Sequence, residues 1–172
     1  MRIRPAIRNL EQVQHRPGVT VVRGESYKVS GNTLVTYNAA TCVILAAHNA
    51  LTRLGLLGHF SAVSGDWGVK LQGMSPNRYV GMDAFAEAIK EIPGLGPLDE
   101  TDIAARGAVK EIDGVEYSDM WFERKFVIGA VGCAAAGYRS LSVKWSDTVN
   151  QLVDAKLDCP AGKLLIANHY TA

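Results

Sequence analysis

The sequence predicts an α/β (α+β) fold: a layered sandwich of mixed β-sheets flanked by helices, in a single domain. Three observations predict it. Short apolar runs with β-branched members recur from Val19 to Ala167 and are bounded by turn residues, as strands are. Two segments carry apolar residues at helical spacing. The length, 172 residues, suits one domain with a sizeable core.

Residues 1–18 are polar and Arg-rich and close on Pro17-Gly18, a turn signal, so they read as an N-terminal surface arm before a domain spanning 19–172. Val19 to Val22, Tyr27 to Val29 and Leu34 to Tyr37 are strand-like. Met82 to Ile92 is the clearest helix: Met82, Phe85, Ile89 and Ile92 recur at three and four, and Pro93-Gly94 stops it. Asp99 to Arg106 reads as a short helix whose acids, Asp99, Glu100 and Asp102, suit a solvated first turn better than a metal site. Asp113-Gly114 reads as a hairpin turn. Phe126 to Val131 is an apolar strand, Ser142 to Leu157 a second helix with Val143, Val149, Leu152 and Val153 inward, and Lys163 to Ala167 the last strand.

The chemistry concentrates between Thr36 and Ser61. Cys42-Val43-Ile44-Leu45 and Leu56-Leu57-Gly58-His59-Phe60 are apolar runs separated by the polar break His48 to Arg53. Two strands around such a break form a hairpin. The midpoint between Cys42 and His59 falls at Ala50 and Leu51, so a regular hairpin sets the two residues opposite each other, with Cβ atoms about 4.5–5.5 Å apart. A one-residue shift of register would put them on opposite faces. The rival local reading is a helix from Cys42 to Arg53, capped by Thr41, with the thiol at its positive end. A thiol is only a few per cent ionised at neutral pH, so a nucleophilic cysteine needs a base such as His59, which also protonates a leaving amine. The plain alternative is a buried small hydrophobe beside a structural histidine.

This segment resembles the chemoreceptor glutamine deamidase family, CheD. The residues that carry the resemblance are Thr36, Thr41-Cys42 and Gly55-Leu56-Leu57-Gly58-His59, with the histidine seventeen positions past the cysteine. More distantly the arrangement resembles the catalytic domain of cytotoxic necrotizing factor, a toxin deamidase. The resemblance implies that Cys42 attacks, His59 is the base and Thr36 assists. Thr41, Ser61 and Trp67, the last in the Gly-flanked stretch Ser64 to Gly68, are the candidate substrate-binding residues. Asp66 is a candidate to orient His59. The expected reaction is hydrolysis of a glutamine side chain on a target protein through a thioester. No metal and no organic cofactor is expected. Transglutamination, thiol peptidase cleavage and a non-catalytic binding protein are the alternatives.

Composition narrows the partners. Eighteen basic residues face seventeen acidic ones with no basic stripe, which argues against nucleic acid. No apolar run approaches the ~20 residues of a membrane span. Three widely spaced cysteines, Cys42, Cys133 and Cys159, form neither a disulfide framework nor a zinc pattern. The first residues lack a secretory signal's apolar stretch. The expectation is a cytoplasmic protein with a protein substrate and no membrane insertion, a non-classical route of delivery to another cell being compatible with it.

Overall fold

The computed structural model describes residues 1–5, 16–39, 42–61, 80–109, 137–146 and 151–170. They form two five-stranded mixed sheets and one α-helix in a single domain, so the predicted layered sandwich is the observed architecture. One sheet has the order β1 (Arg2–Pro5), β10 (Lys163–Tyr170), β9 (Gln151–Asp158), β4 (Thr33–Ala39), β2 (Val19–Val21). The other runs β3 (Ser26–Ser30), β6 (Gly55–Ser61), β5 (Cys42–Asn49), β7 (Thr101–Val109), β8 (Ser140–Ser146). The pairs β1–β10, β2–β4 and β7–β8 are parallel and the others antiparallel.

β5 shows how the layers arise. It lies between two neighbours and is covered on both faces, so its sequence is a continuous apolar run rather than an alternating one. Val43, Leu45 and Ala47 face outward, onto the helix α1 (Val80–Glu91). Ile44 and Ala46 face inward, against Leu34, Val153, Ala155 and Leu157 of the opposite sheet. Phe85 of α1 meets Phe60 of β6 edge-on, with ring centroids 5.4 Å apart. Burying a side chain of that size contributes roughly 1.5–3 kcal/mol. Pro93 falls in a 3-10 turn, Ile92–Leu95, which ends the helix and buries Ile92 and Leu95.

Several sequence expectations are corrected. The described parts of the expected helix Ser142 to Leu157 belong to β8 and β9, residues 147–150 lying outside the described residues: Val153, Ala155 and Leu157 point into the core two by two, the period of a strand. Asp99 to Arg106 is not a helix either. A 3-10 turn, Leu98–Glu100, leads into β7, where Ile103 and Ala105 face the helix and Ala104 faces the other sheet. Asp102 is no solvated helix start: it is buried and bonded to Arg139 and Ser140. Arg2–Pro5 of the expected arm is an edge strand, paired with β10. Cys42 to Arg53 is strand and turn, which removes the helical alternative. The Asp113-Gly114 turn, the Phe126 to Val131 strand and Cys133 lie outside the described residues. No helix among the described residues is long and apolar enough to cross a membrane.

One glycine is required by the packing of two central strands. Gly107 on β7 has φ +95°, and a Cβ there would stand 2.3 Å from the carbonyl oxygen of Cys42. Gly107→Ala combines a left-handed backbone with a clash against the main chain. The expected loss is at least about 2 kcal/mol of folding free energy, read as a lower urea midpoint at unchanged slope.

Candidate active site

The β5–β6 hairpin forms, with a different register from the regular one. Cys42 stands opposite Ser61, and His59 stands opposite Ile44. The cause is the turn. Asn49 and Leu54 close the hairpin through Asn49 N–H to the Leu54 carbonyl at 2.9 Å, and Arg53 takes a left-handed conformation, φ +59°. The Asn49 side chain builds this loop: its Oδ1 accepts from the amides of Leu51 and Thr52, and its Nδ2 donates to Pro97 O and Thr101 Oγ1. The midpoint therefore moves from Ala50/Leu51 to Leu51/Thr52. A displacement of two residues keeps both side chains on one face. Cys42 and His59 are diagonal neighbours, with backbones about 7–8 Å apart, instead of directly opposed.

That face is the inner one, toward β4. There the Thr36 hydroxyl lies 2.8 Å from Nδ1 of His59. Thr36 is fully buried and His59 is 7% exposed. Burial holds the His59 ring below its ordinary pKa of 6.5, so near neutral pH it is uncharged and able to accept a proton. In the tautomer protonated at Nδ1, that N–H donates to Thr36 Oγ1 and the lone pair sits on Nε2. Cys42 is half-buried at the start of β5.

The chain between Thr36 and Cys42 is shaped by a bulge. The β4–β9 register shifts between Thr36 and Ala39, and Asn38 is left-handed at φ +57°. The Asn38 N–H donates to Oδ1 of the buried Asp154 at 2.7 Å. The bulge places Ala39 in the core, one position after Asn38, where the alternation from Thr36 would have put the next buried residue. Asp154 was not legible from sequence, since its partner lies 116 positions away.

Of the other sequence candidates, Ser61 is opposite Cys42 in register, while Thr41, Asp66 and Trp67 lie outside the described residues. Cys159 contrasts with Cys42. It is buried, and burial with the nearby Asp158 charge pushes its thiol up to about 11, so it stays protonated at neutral pH.

No family model matches the chain, and no curated protein matches it. Among solved structures, it is similar to protein NMB0706 of Neisseria meningitidis, described under the family-model name DUF152, at 9% identity, covering 77% of this chain and 64% of that one, with a TM-score of 0.44. It is also similar to the hypothetical protein YfiH of Bacillus licheniformis, at 8% identity, covering 73% of this chain and 52% of that one, with a TM-score of 0.45. The chain thus spans between half and two thirds of the length of these proteins. The expected membership of the chemoreceptor deamidase family is corrected by this result: the neighbours found are of the DUF152 and YfiH type, not of that family. Likeness this distant carries no argument about activity, which must rest on the chain's own residues.

The protonation state of the site has a consequence for stability. His59 and His48 are both held below 6.5 by burial, so between 6.5 and their folded values the unfolded chain binds more protons than the folded one. Stability is therefore full above 6.5 and falls as pH drops through that window. The thermal midpoint should decline from about pH 7 to about pH 5, and His59→Gln should reduce the slope of that decline.

Proposed function

We propose that the chain is a thiol amidohydrolase that converts a glutamine side chain of a target protein to glutamate, with Cys42 as nucleophile and His59 as base. The observation that carries this reading is the Thr36–His59 hydrogen bond on the face that also bears Cys42. A nucleophile, a base one diagonal step away and a third group fixing that base are the parts of a thiol hydrolase site.

In the proposed reaction His59 Nε2 takes the Cys42 proton and the sulfur attacks the amide carbon. The imidazolium returns the proton to the departing nitrogen, the C–N bond breaks, and ammonia leaves a thioester. His59 then deprotonates water, whose oxygen displaces the sulfur to give the carboxylate. Thr36 acts through His59 and is a positioning residue: its contact with Nδ1 fixes the orientation of the ring. Lowering of the His59 pKa keeps the ring in its basic form over the whole neutral range. The product carries one more negative charge than the substrate, a change able to bias a conformational equilibrium in the target.

Cys42→Ser should abolish ammonia release from glutamine-bearing proteins while circular dichroism and thermal midpoint stay close to the parent. Mass spectrometry should register a gain of roughly 1 Da at glutamine with the parent only, the mass change from an amide to an acid. Cleaved peptide bonds or incorporated amines in place of that shift would replace deamidation by one of the neighbouring thiol chemistries.

The acid limb of kcat/KM should lie below pH 6.5, because the free enzyme's base titrates below its ordinary value. Thr36→Val should lower kcat by roughly tenfold or more and move this limb, since Nδ1 of the ring loses its hydrogen-bond partner. A limb that stays in place in this variant would remove Thr36 from the site.

A further inference from the structure

At the end of the sandwich reached by the β5–β6 turn lies a pocket of about 630 Å³ lined by residues of five separate segments. Three arginines line it: Arg2 from β1, Arg53 from the hairpin turn and Arg139 from the approach to β8. Arg139 is engaged, donating to both oxygens of Asp102 and to Glu100. Asp102 is further held by Ser140 and by the amino group of Met1, so its negative charge is already matched. Arg2 and Arg53 are exposed and pair with no acidic group among the described residues.

The same pocket is lined by a buried side chain with an unmet need. His48 is 3% exposed. Its Nε2–H donates to the Cys159 carbonyl at 2.9 Å, and burial keeps the ring below its ordinary pKa and uncharged. Nδ1 is then a bare acceptor, and it has no hydrogen-bond partner. A buried polar atom left in this way costs free energy that a ligand can recover. Arg53 adds a further indication. Its left-handed backbone suits glycine or asparagine, yet the position holds an arginine, kept there by the Asn49 network.

We propose that this pocket binds a small oxyanion carrying its own hydroxyl, of which hydrogenphosphate and an α-hydroxy acid are the two sources. Arg2 and Arg53 take the charge, and Nδ1 of His48 accepts the hydroxyl proton in a hydrogen bond. Guanidinium groups suit the first task because their planar forks match an oxyanion. The site is independent of the Cys42 chemistry, at the far end of β5.

Calorimetric titration of the full chain, with long-range proton–nitrogen NMR of His48, tests this. Phosphate or lactate should bind saturably and shift the His48 Nδ1 resonance, and the tighter of the two assigns the source. Sulfate, matching phosphate in charge but lacking a hydroxyl near neutral pH, and acetate, matching lactate likewise, should each bind roughly tenfold more weakly. Arg53→Gly should weaken the hydroxylated ligand by roughly tenfold while the thermal midpoint stays level or rises, since glycine adopts this backbone without strain. Absence of saturable binding by both phosphate and lactate, equal binding by the hydroxyl-free partners, or an unchanged affinity in Arg53→Gly would each overturn the assignment.

Discussion

Between the two sheets the packing is largely hydrocarbon, and the Thr36–His59 contact is a polar bond set into it. For an imidazole buried to 7% exposure a hydrogen-bond partner matters, because an unmet polar group in such a layer costs roughly 1–3 kcal/mol. The bond therefore fixes more than a side chain. It ties β6 of one sheet to β4 of the other and fixes the orientation of the His59 ring. Any chemistry that Cys42 performs with this ring depends on that tie being made in the folded state.

Two backbone irregularities bring the cysteine to the same place. On one side, the left-handed Asn38 and the Asp154 carboxylate end the regular pairing of β4 just after Thr36. On the other, Gly107 lets β7 approach the Cys42 carbonyl more closely than any residue with a Cβ could. Bulges next to functional groups commonly re-aim a strand. Here the bulge after Thr36 and the glycine beside Cys42 flank the start of β5 from both sheets, so the position of the thiol is set by main chain on either side and not by its own rotamer alone.

How much of this could be read from sequence varies with the signal. The alternating and continuous apolar runs announced β2 to β6 and the last strand, and the three-and-four spacing of Phe85, Ile89 and Ile92 announced α1. β7 and β9 were misread because their inward residues are small: Ala104 and Ala105, or Ala155 between Val153 and Leu157, look helical when only composition is visible. The hairpin was legible but its register was not, since the loop geometry depends on Asn49 reaching Pro97 and Thr101 some fifty positions away. Thr36 beside His59 could be proposed only through a resemblance whose family assignment did not hold, although the contact itself is present. His48 carried no signal at all, being read as part of a polar break.

The two buried histidines show what the layer does with an imidazole. Ile44 opposite His59 and His48 itself lie four residues apart on β5, so the two rings occupy opposite ends of the inner layer, separated by roughly 13 Å of strand. Each is tethered to the opposite sheet through one nitrogen, His59 Nδ1 to Thr36 on β4 and His48 Nε2 to the Cys159 carbonyl at the end of β9. The tether uses different nitrogens, so the remaining one is Nε2 at the Cys42 end and Nδ1 at the arginine end. Each ring is also kept neutral by burial; this leaves Nδ1 of His48 as an acceptor, and Nε2 of His59 as one in the tautomer protonated at Nδ1. An acceptor beside a thiol is a base, whereas an acceptor beside cations is a hydrogen-bond partner for an anion that brings a hydroxyl. On the two proposals above, the same residue type, buried in the same layer, serves proton transfer at one end and ligand recognition at the other, according to which nitrogen the opposite sheet holds.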